Sequence, residues 1–104
     1  MNDLVKIAVD AMGGDGSPKK VIDGIIHHFH KNIDCYYKIF GDKDKIKNLI
    51  NEDLPNGSFE IIHTIDIVKG TDSPLEGAKR GKNTSMWLAI QSVKEKKSDI
   101  VISA

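Results

Sequence analysis

A single cysteine, Cys35, in 104 residues rules out an internal disulfide, so packing and hydrogen bonding must hold this chain together without a covalent staple. One free thiol also suits a reducing cytoplasm. Cys35 lies in an apolar stretch beside Tyr36 and Tyr37, where a packing role is expected rather than a nucleophile. An excess of charge of either sign is missing too. Lys plus Arg and Asp plus Glu both number 15, so no global field recommends nucleic acid, a polyanion or an anionic membrane as partner. Anion binding, if present, has to be local. No apolar run is long enough to span a bilayer, and Met1 to Val9 lack the basic and small-residue flanks of a secretory signal. Internal repeats, low-complexity tracts and interdomain linkers are likewise absent. With 39% hydrophobic and 29% charged residues, what remains is an ordinary globular composition, and one domain is the natural count.

What is there alternates. Leu4 to Val9 is a β-favouring run that stops at Asp10 and a glycine-rich stretch, which predicts a strand ending in a loop. Ser17 then fits an N-cap and Pro18 a first helical position, with Val21, Ile22, Ile25, Ile26 and Phe29 forming one apolar face. Asp34 to Phe40 is the second strand candidate. Gly41-Asp42 opens a second amphipathic helix carrying Ile46, Leu49 and Ile50 inward, closed by a Pro55-Asn56-Gly57 turn. Phe59 to His63 predicts a third strand. The polar passage from Lys69 to Asn83 is expected to be a long loop with a helical turn after Pro74. A helix is predicted from Thr84, with Met86, Leu88, Ala89, Ile90 and Val93 as its apolar bulk and Trp87 in a core or interface, before a fourth strand over Asp99 to Ser103. Strands that alternate with helical patterns, without hairpin turns, imply an α/β fold built on a mainly parallel sheet with flanking helices. A parallel strand closing at Ser103 normally leads into another covering helix, so residues 1–104 are expected to be the N-terminal part of a single α/β domain, an incomplete fragment.

Three groups of residues could carry chemistry. Asp10-Ala11-Met12-Gly13-Gly14-Asp15-Gly16-Ser17-Pro18 joins the first strand to the first helix, the place where ligands bind in open α/β sheets. Its glycines either make a tight structural turn or let the backbone approach a phosphate or pantetheine arm. The spacing is neither that of a dinucleotide fingerprint nor that of a Walker loop. Asp10 and Asp15 would repel an unpaired phosphate, and either brace the loop by bonding its N–H groups or pair with a basic residue from elsewhere. The second group is Asp72, Pro74, Arg80, Lys82, Ser85 and Met86, either a solvated basic surface or a phosphate clamp in which Arg80 offers two N–H donors and Lys82 a point charge. His27, His28 and His30 lie opposite an apolar stripe with no supporting carboxylate or thiol spacing, and are read as a polar face rather than metal ligands. His63 closes a strand at the ligand edge, where it either contacts ligand or is satisfied locally.

The order of these motifs resembles the phosphate acyltransferases of bacterial phospholipid synthesis, the PlsX family. Asp10 to Asp15 looks like the family's opening signature and Ile62-His63-Thr64 like its third-strand ending. Asp72-Ser73-Pro74 is similar to its following turn, Lys79 to Met86 to its basic segment, and Val101 to Ala104 to the strand before a Gly-Asn-Thr-Gly loop absent here. Thr84, where the family often has serine, and Gly81, which interrupts the basic run, depart from the pattern. The resemblance implies an isocitrate/isopropylmalate dehydrogenase-like fold and conversion of acyl-[acyl carrier protein] and inorganic phosphate to acyl phosphate. It further implies a cytoplasmic homodimer, peripheral to the membrane in its full-length form, and a membrane glycerol-3-phosphate acyltransferase as a downstream partner. No metal or nicotinamide cofactor and no nucleic acid are implied. Asp10, Met12, Gly13, Gly14, Asp15, His63, Asp72, Pro74, Arg80, Lys82, Ser85 and Met86 are the substrate-binding candidates, with no catalytic residue assigned. A phosphate acetyl- or butyryltransferase acting on a coenzyme A thioester, and a phosphate-binding module without turnover, are the alternatives.

Overall fold

The computed structural model describes residues 4–14, 16–31, 34–64 and 84–103. Val5–Asp10 (β1) leads into helix Lys19–Lys31 (α1), then Cys35–Gly41 (β2), helix Lys43–Ile50 (α2), a 3-10 turn at Asn56–Ser58, and Phe59–His63 (β3). Helix Ser85–Lys94 (α3) and Ile100–Ser103 (β4) follow. The strands line up as β3-β2-β1-β4 with every pair parallel, which meets the expectation of a parallel sheet. The expected loop over Lys69–Asn83 and its helical turn lie outside the described residues.

Strand order and helix placement follow from one another. Parallel strands need crossovers, and crossovers are right-handed. The chain steps from β1 to β2 to β3 in one direction, so α1 and α2 fall on one face. It then returns past β2 and β1 to reach β4, which puts α3 on the opposite face. Alternating side chains supply a core for each face. Ile7, Val9, Tyr37 and Ile39 pack against Ile22 and Ile25 of α1 and Ile46 and Ile50 of α2. Ala8, Phe40 and Ala89 form the other core, flanked by Ile62, Leu88, Val93 and Val101. Each fully buried isoleucine contributes about 2 kcal/mol of apolar burial. Ala8 against Ala89 is a small-on-small contact that lets α3 approach the sheet closely.

Two local expectations change. Ser17 does not cap α1; its hydroxyl donates to the Gly13 carbonyl at 2.5 Å, and the helix begins at Lys19 after a turn through Ser17 and Pro18. The bond to Gly13 turns this hydroxyl back into the loop, away from the first N–H groups of the helix. The second helix ends earlier than the Pro55 turn, at Asn51, whose φ of 50° takes the chain out of the helix while its N–H bonds the Lys47 carbonyl. Asn tolerates a positive φ better than most residues. Pro55 then precedes the 3-10 turn that feeds β3.

Cys35 is half-buried against the α1/α2 core, a packing position. Trp87 and Ile90 of α3 and Ile100 and Ile102 of β4 are exposed, the last two by half. Ile102 also borders a groove of about 320 Å³ between α1 and the β1/β4 pair. Among the described residues no helix is long and apolar enough to cross a membrane.

Tyr37 supplies a stability test. It is 2% exposed, its hydroxyl lies 2.6 Å from His28 Nδ1, and burial, reinforced by Cys35, pushes its phenol up to about 12. The folded state therefore favours the neutral phenol, whose stabilisation is intact below the unfolded value near 10 and is lost as pH rises towards 12. Unfolding free energy measured by urea titration should fall across that window, and the drop should be smaller in Tyr37→Phe.

Candidate functional site

All four strands point the same way, so Asp10, Gly41, His63 and Ser103 end at one edge of the sheet. Between β1 and β4 the strand order reverses and the helices diverge, α1 following β1 on one face and α3 preceding β4 on the other. Such a divergence opens the crevice in which open α/β sheets bind ligands. Asp10 stands at that point.

Asp10 is 3% exposed, and its carboxylate collects donors from three separate stretches of chain. Oδ1 accepts from the Ser85 hydroxyl at 2.5 Å and from the Met12 N–H at 3.1 Å; Oδ2 accepts from the Ser103 hydroxyl at 2.8 Å. All three partners donate, which suits a group whose oxygens only accept. Asp10 thus ties the glycine loop to the start of α3 and the end of β4. Its negative charge also lies against the positive end of the α3 dipole. The bracing alternative for Asp10 is what the geometry supports: this carboxylate faces the protein's own donors. Ser85, 2% exposed, gives its proton to Asp10 and does not hold it ready for a phosphate.

The glycine loop is shaped by its own backbone. Gly14 has φ of 84° and Gly16 of 79°, a region that side chains resist, so these glycines are needed for the turn whatever approaches it. Gly41 has a different constraint. A Cβ there would come within 2.8 Å of both Met12 Cγ and Ile46 Cδ1, so Met12 lies directly on the end of β2. Met12 and Gly13 are half-buried and Gly14 is exposed, a loop lying along the sheet edge.

Helix α2 begins at the same edge, and its N-terminus is closed. Asp42 accepts from the Lys45 N–H at 3.2 Å, while His63 Nδ1 accepts from the Lys43 N–H at 3.1 Å. His63 is therefore a cap as well as an edge residue. With Nδ1 accepting, a neutral ring carries its proton on Nε2, and the side chain is exposed. Helix α3 is closed in the same way: Thr84 caps it by accepting from the Trp87 N–H, and Asp10 holds Ser85. The N-termini of α2 and α3 thus carry the protein's own acceptors.

The structure thus brings Asp10, Met12, Gly13, Gly14, His63 and Ser85 to the carboxyl edge. Met86 begins α3 there but is 37% exposed. Asp15, Asp72, Pro74, Arg80 and Lys82 lie outside the described residues. His27 and His30 are exposed on α1, and among the described residues no three metal-ligating side chains cluster.

Comparison with known proteins places the chain. A family model described as fatty acid synthesis protein matches residues 5–104. The chain belongs to this family. Among its relatives, the phosphate acyltransferase of Pelagibacter ubique (strain HTCC1062) is 77% identical over all 104 residues, which cover 31% of that protein. The phosphate acyltransferase of Streptococcus thermophilus (strain CNRZ 1066) is 39% identical over 94% of the chain and 28% of its own length. That of Bacillus subtilis (strain 168) is 38% identical over 96% and 29%. The chain therefore spans about three-tenths of the length of these relatives.

For this member of the fatty acid synthesis protein family, the residues that sequence reasoning passed over are Ser103 and Thr64. Ser103 was visible only as the end of a strand, yet its hydroxyl completes the bracing of Asp10. A polar residue closing an apolar strand next to a glycine-loop strand was the available signal. Replacing Asp10 by Ala would strand the Ser85, Ser103 and Met12 donors in a site with little water. The expected cost is about 3 kcal/mol of unfolding free energy in the full-length protein, measured by denaturant titration.

Proposed function

We propose that this chain, as the N-terminal portion of a single α/β domain in an enzyme of its relatives' length, belongs to a phosphate acyltransferase. The enzyme takes acyl-[acyl carrier protein] and inorganic phosphate and forms acyl phosphate for phospholipid biosynthesis. The observation that carries this reading is the relatives' shared name over 94 to 100% of the chain. The crevice at the β1/β4 divergence is compatible with it.

The reaction is a thioester phosphorolysis. A phosphate oxygen attacks the acyl carbonyl carbon, the carbon–sulfur bond breaks, and the carrier's thiolate leaves and takes up a proton. Acyl phosphate and the free carrier thiol result. Such chemistry needs the two substrates aligned and the negative charge on phosphate and carbonyl oxygen stabilised. In this reading Arg80 clamps phosphate through two N–H groups and Lys82 adds a second positive charge. The Gly13-Gly14 backbone faces the carbonyl oxygen, and His63 Nε2–H offers a further donor at the edge. Asp10 holds the loop in place without facing the phosphate, because its oxygens are already covered by donors. An isocitrate/isopropylmalate dehydrogenase-like fold, a homodimer and a cytoplasmic enzyme peripheral to the membrane belong to the same proposal. So does delivery of the product to a membrane glycerol-3-phosphate acyltransferase.

The test is phosphate-dependent release of carrier thiol from long-chain acyl carrier protein by the full-length protein, with acyl-coenzyme A in parallel. Release from the carrier protein, abolished by omitting phosphate, is the expected result. Release from coenzyme A alone would reassign the enzyme to the acetyl- or butyryltransferases, and release from neither would overturn an acyltransferase.

A further inference from the structure

Among the described residues, the α3 face of the carboxyl edge carries one buried side-chain group without a hydrogen-bond partner. Thr64 follows β3 directly. Its N–H donates to the Gly41 carbonyl at 2.9 Å, so the ladder's alternation continues one residue past His63. That alternation places Thr64 on the same face as Ile62, the face on which Asp10 meets Ser85. Thr64 is 5% exposed, and its Oγ1 is buried with no hydrogen-bond partner, alone in this among the described residues.

An unpaired buried hydroxyl destabilises the state that contains it, and valine would fill the same space without that penalty. Its neighbours show what satisfied groups look like at this edge. Thr84 and Ser85 are comparably buried, and each gives or takes a well-formed bond. Thr64 is the exception, and it stands two strands from Asp10, about 10 Å across the ladder, within the reach of a ligand lying along the edge. A buried polar group left unpaired in a native protein calls for an explanation, and a ligand that completes it supplies one.

We propose that Thr64 is a substrate-binding residue whose hydroxyl donates to a substrate oxygen at the carboxyl edge of the sheet. The acceptor is an oxyanion-type oxygen, either of inorganic phosphate or of the thioester carbonyl. Its chemical identity rests on the acyltransferase reading; the unpaired hydroxyl does not. A hydroxyl suits this task because it supplies a donor without a charge, next to His63, whose side chain caps α2 on the opposite face of the sheet.

Thr64→Val and Thr64→Ser in the full-length protein separate a binding role from a structural one. Thermal unfolding without ligand and with inorganic phosphate is measured alongside steady-state kinetics in which phosphate and acyl carrier protein are varied in turn. Thr64→Val should melt at or above the wild-type temperature, since it removes a group the free protein leaves unpaired. Its kcat/KM should nevertheless fall about tenfold or more, while Thr64→Ser stays within about threefold of wild type. The substrate whose KM rises identifies the oxygen. A valine variant that melts several degrees lower, or that keeps wild-type kinetic constants, overturns the proposal. If the wild-type protein turns over neither thioester, the acyltransferase reading fails by itself, and the proposal is then decided by the melting shift with phosphate. A shift present in wild type and lost in Thr64→Val upholds it; no difference between them overturns it.

Discussion

Three donors converge on the Asp10 carboxylate, and through it the glycine loop, the start of α3 and the end of β4 are tied to one another at the carboxyl edge of the sheet. The Met12 N–H belongs to the glycine loop, the Ser85 hydroxyl to the first turn of α3 and the Ser103 hydroxyl to the last residue of β4. A buried carboxylate is costly in the absence of partners and firm in their presence, so the three segments are held jointly. The divergence between β1 and β4 makes the crevice, and Asp10 keeps its walls in register. The same bonds decide the electrostatics of the site. An acceptor of the protein's own closes the α3 terminus, and Asp42 with His63 does the same for α2. With those two helix ends closed, the proposal gives phosphate to Arg80, Lys82 and the Gly13-Gly14 backbone.

The strands were legible because local pattern and tertiary environment agree. Phe59–His63 is a β-favouring run that follows a Pro-Asn-Gly turn, and the structure returns the same five residues. The other strands differ from their expected limits by a residue, and the absence of hairpin signals correctly implied parallel pairing. Helix interiors were equally plain from the spacing of Ile22, Ile25, Ile46 and Ile50. Thr84 was readable as a helix start because its hydroxyl does there what threonine does best, accepting from an N–H three residues on.

What escaped the sequence depends on long-range bonds. Ser85 lies 75 positions from Asp10 and Ser103 lies 93, and no local rule pairs them. The same holds for His63, where a ligand role and a local role were both open; its Nδ1 caps a helix 20 residues earlier while the residue stays exposed. Ser17 shows the converse failure. Its type and position matched a cap, but a closer carbonyl within the loop captured its hydroxyl first. Thr64 was invisible as a site residue, since what distinguishes it is a bond it does not make.

The central claim is that Asp10 and the start of α3 act as one unit in shaping the edge. The most direct test is a double-mutant cycle of Asp10→Ala and Ser85→Ala in the full-length protein, read as unfolding free energy. The account predicts strong non-additivity, a coupling of about 1 kcal/mol or more, because either change removes the same buried bond. Additivity within about 0.3 kcal/mol would contradict it, and would mean that the edge is held by something other than this carboxylate.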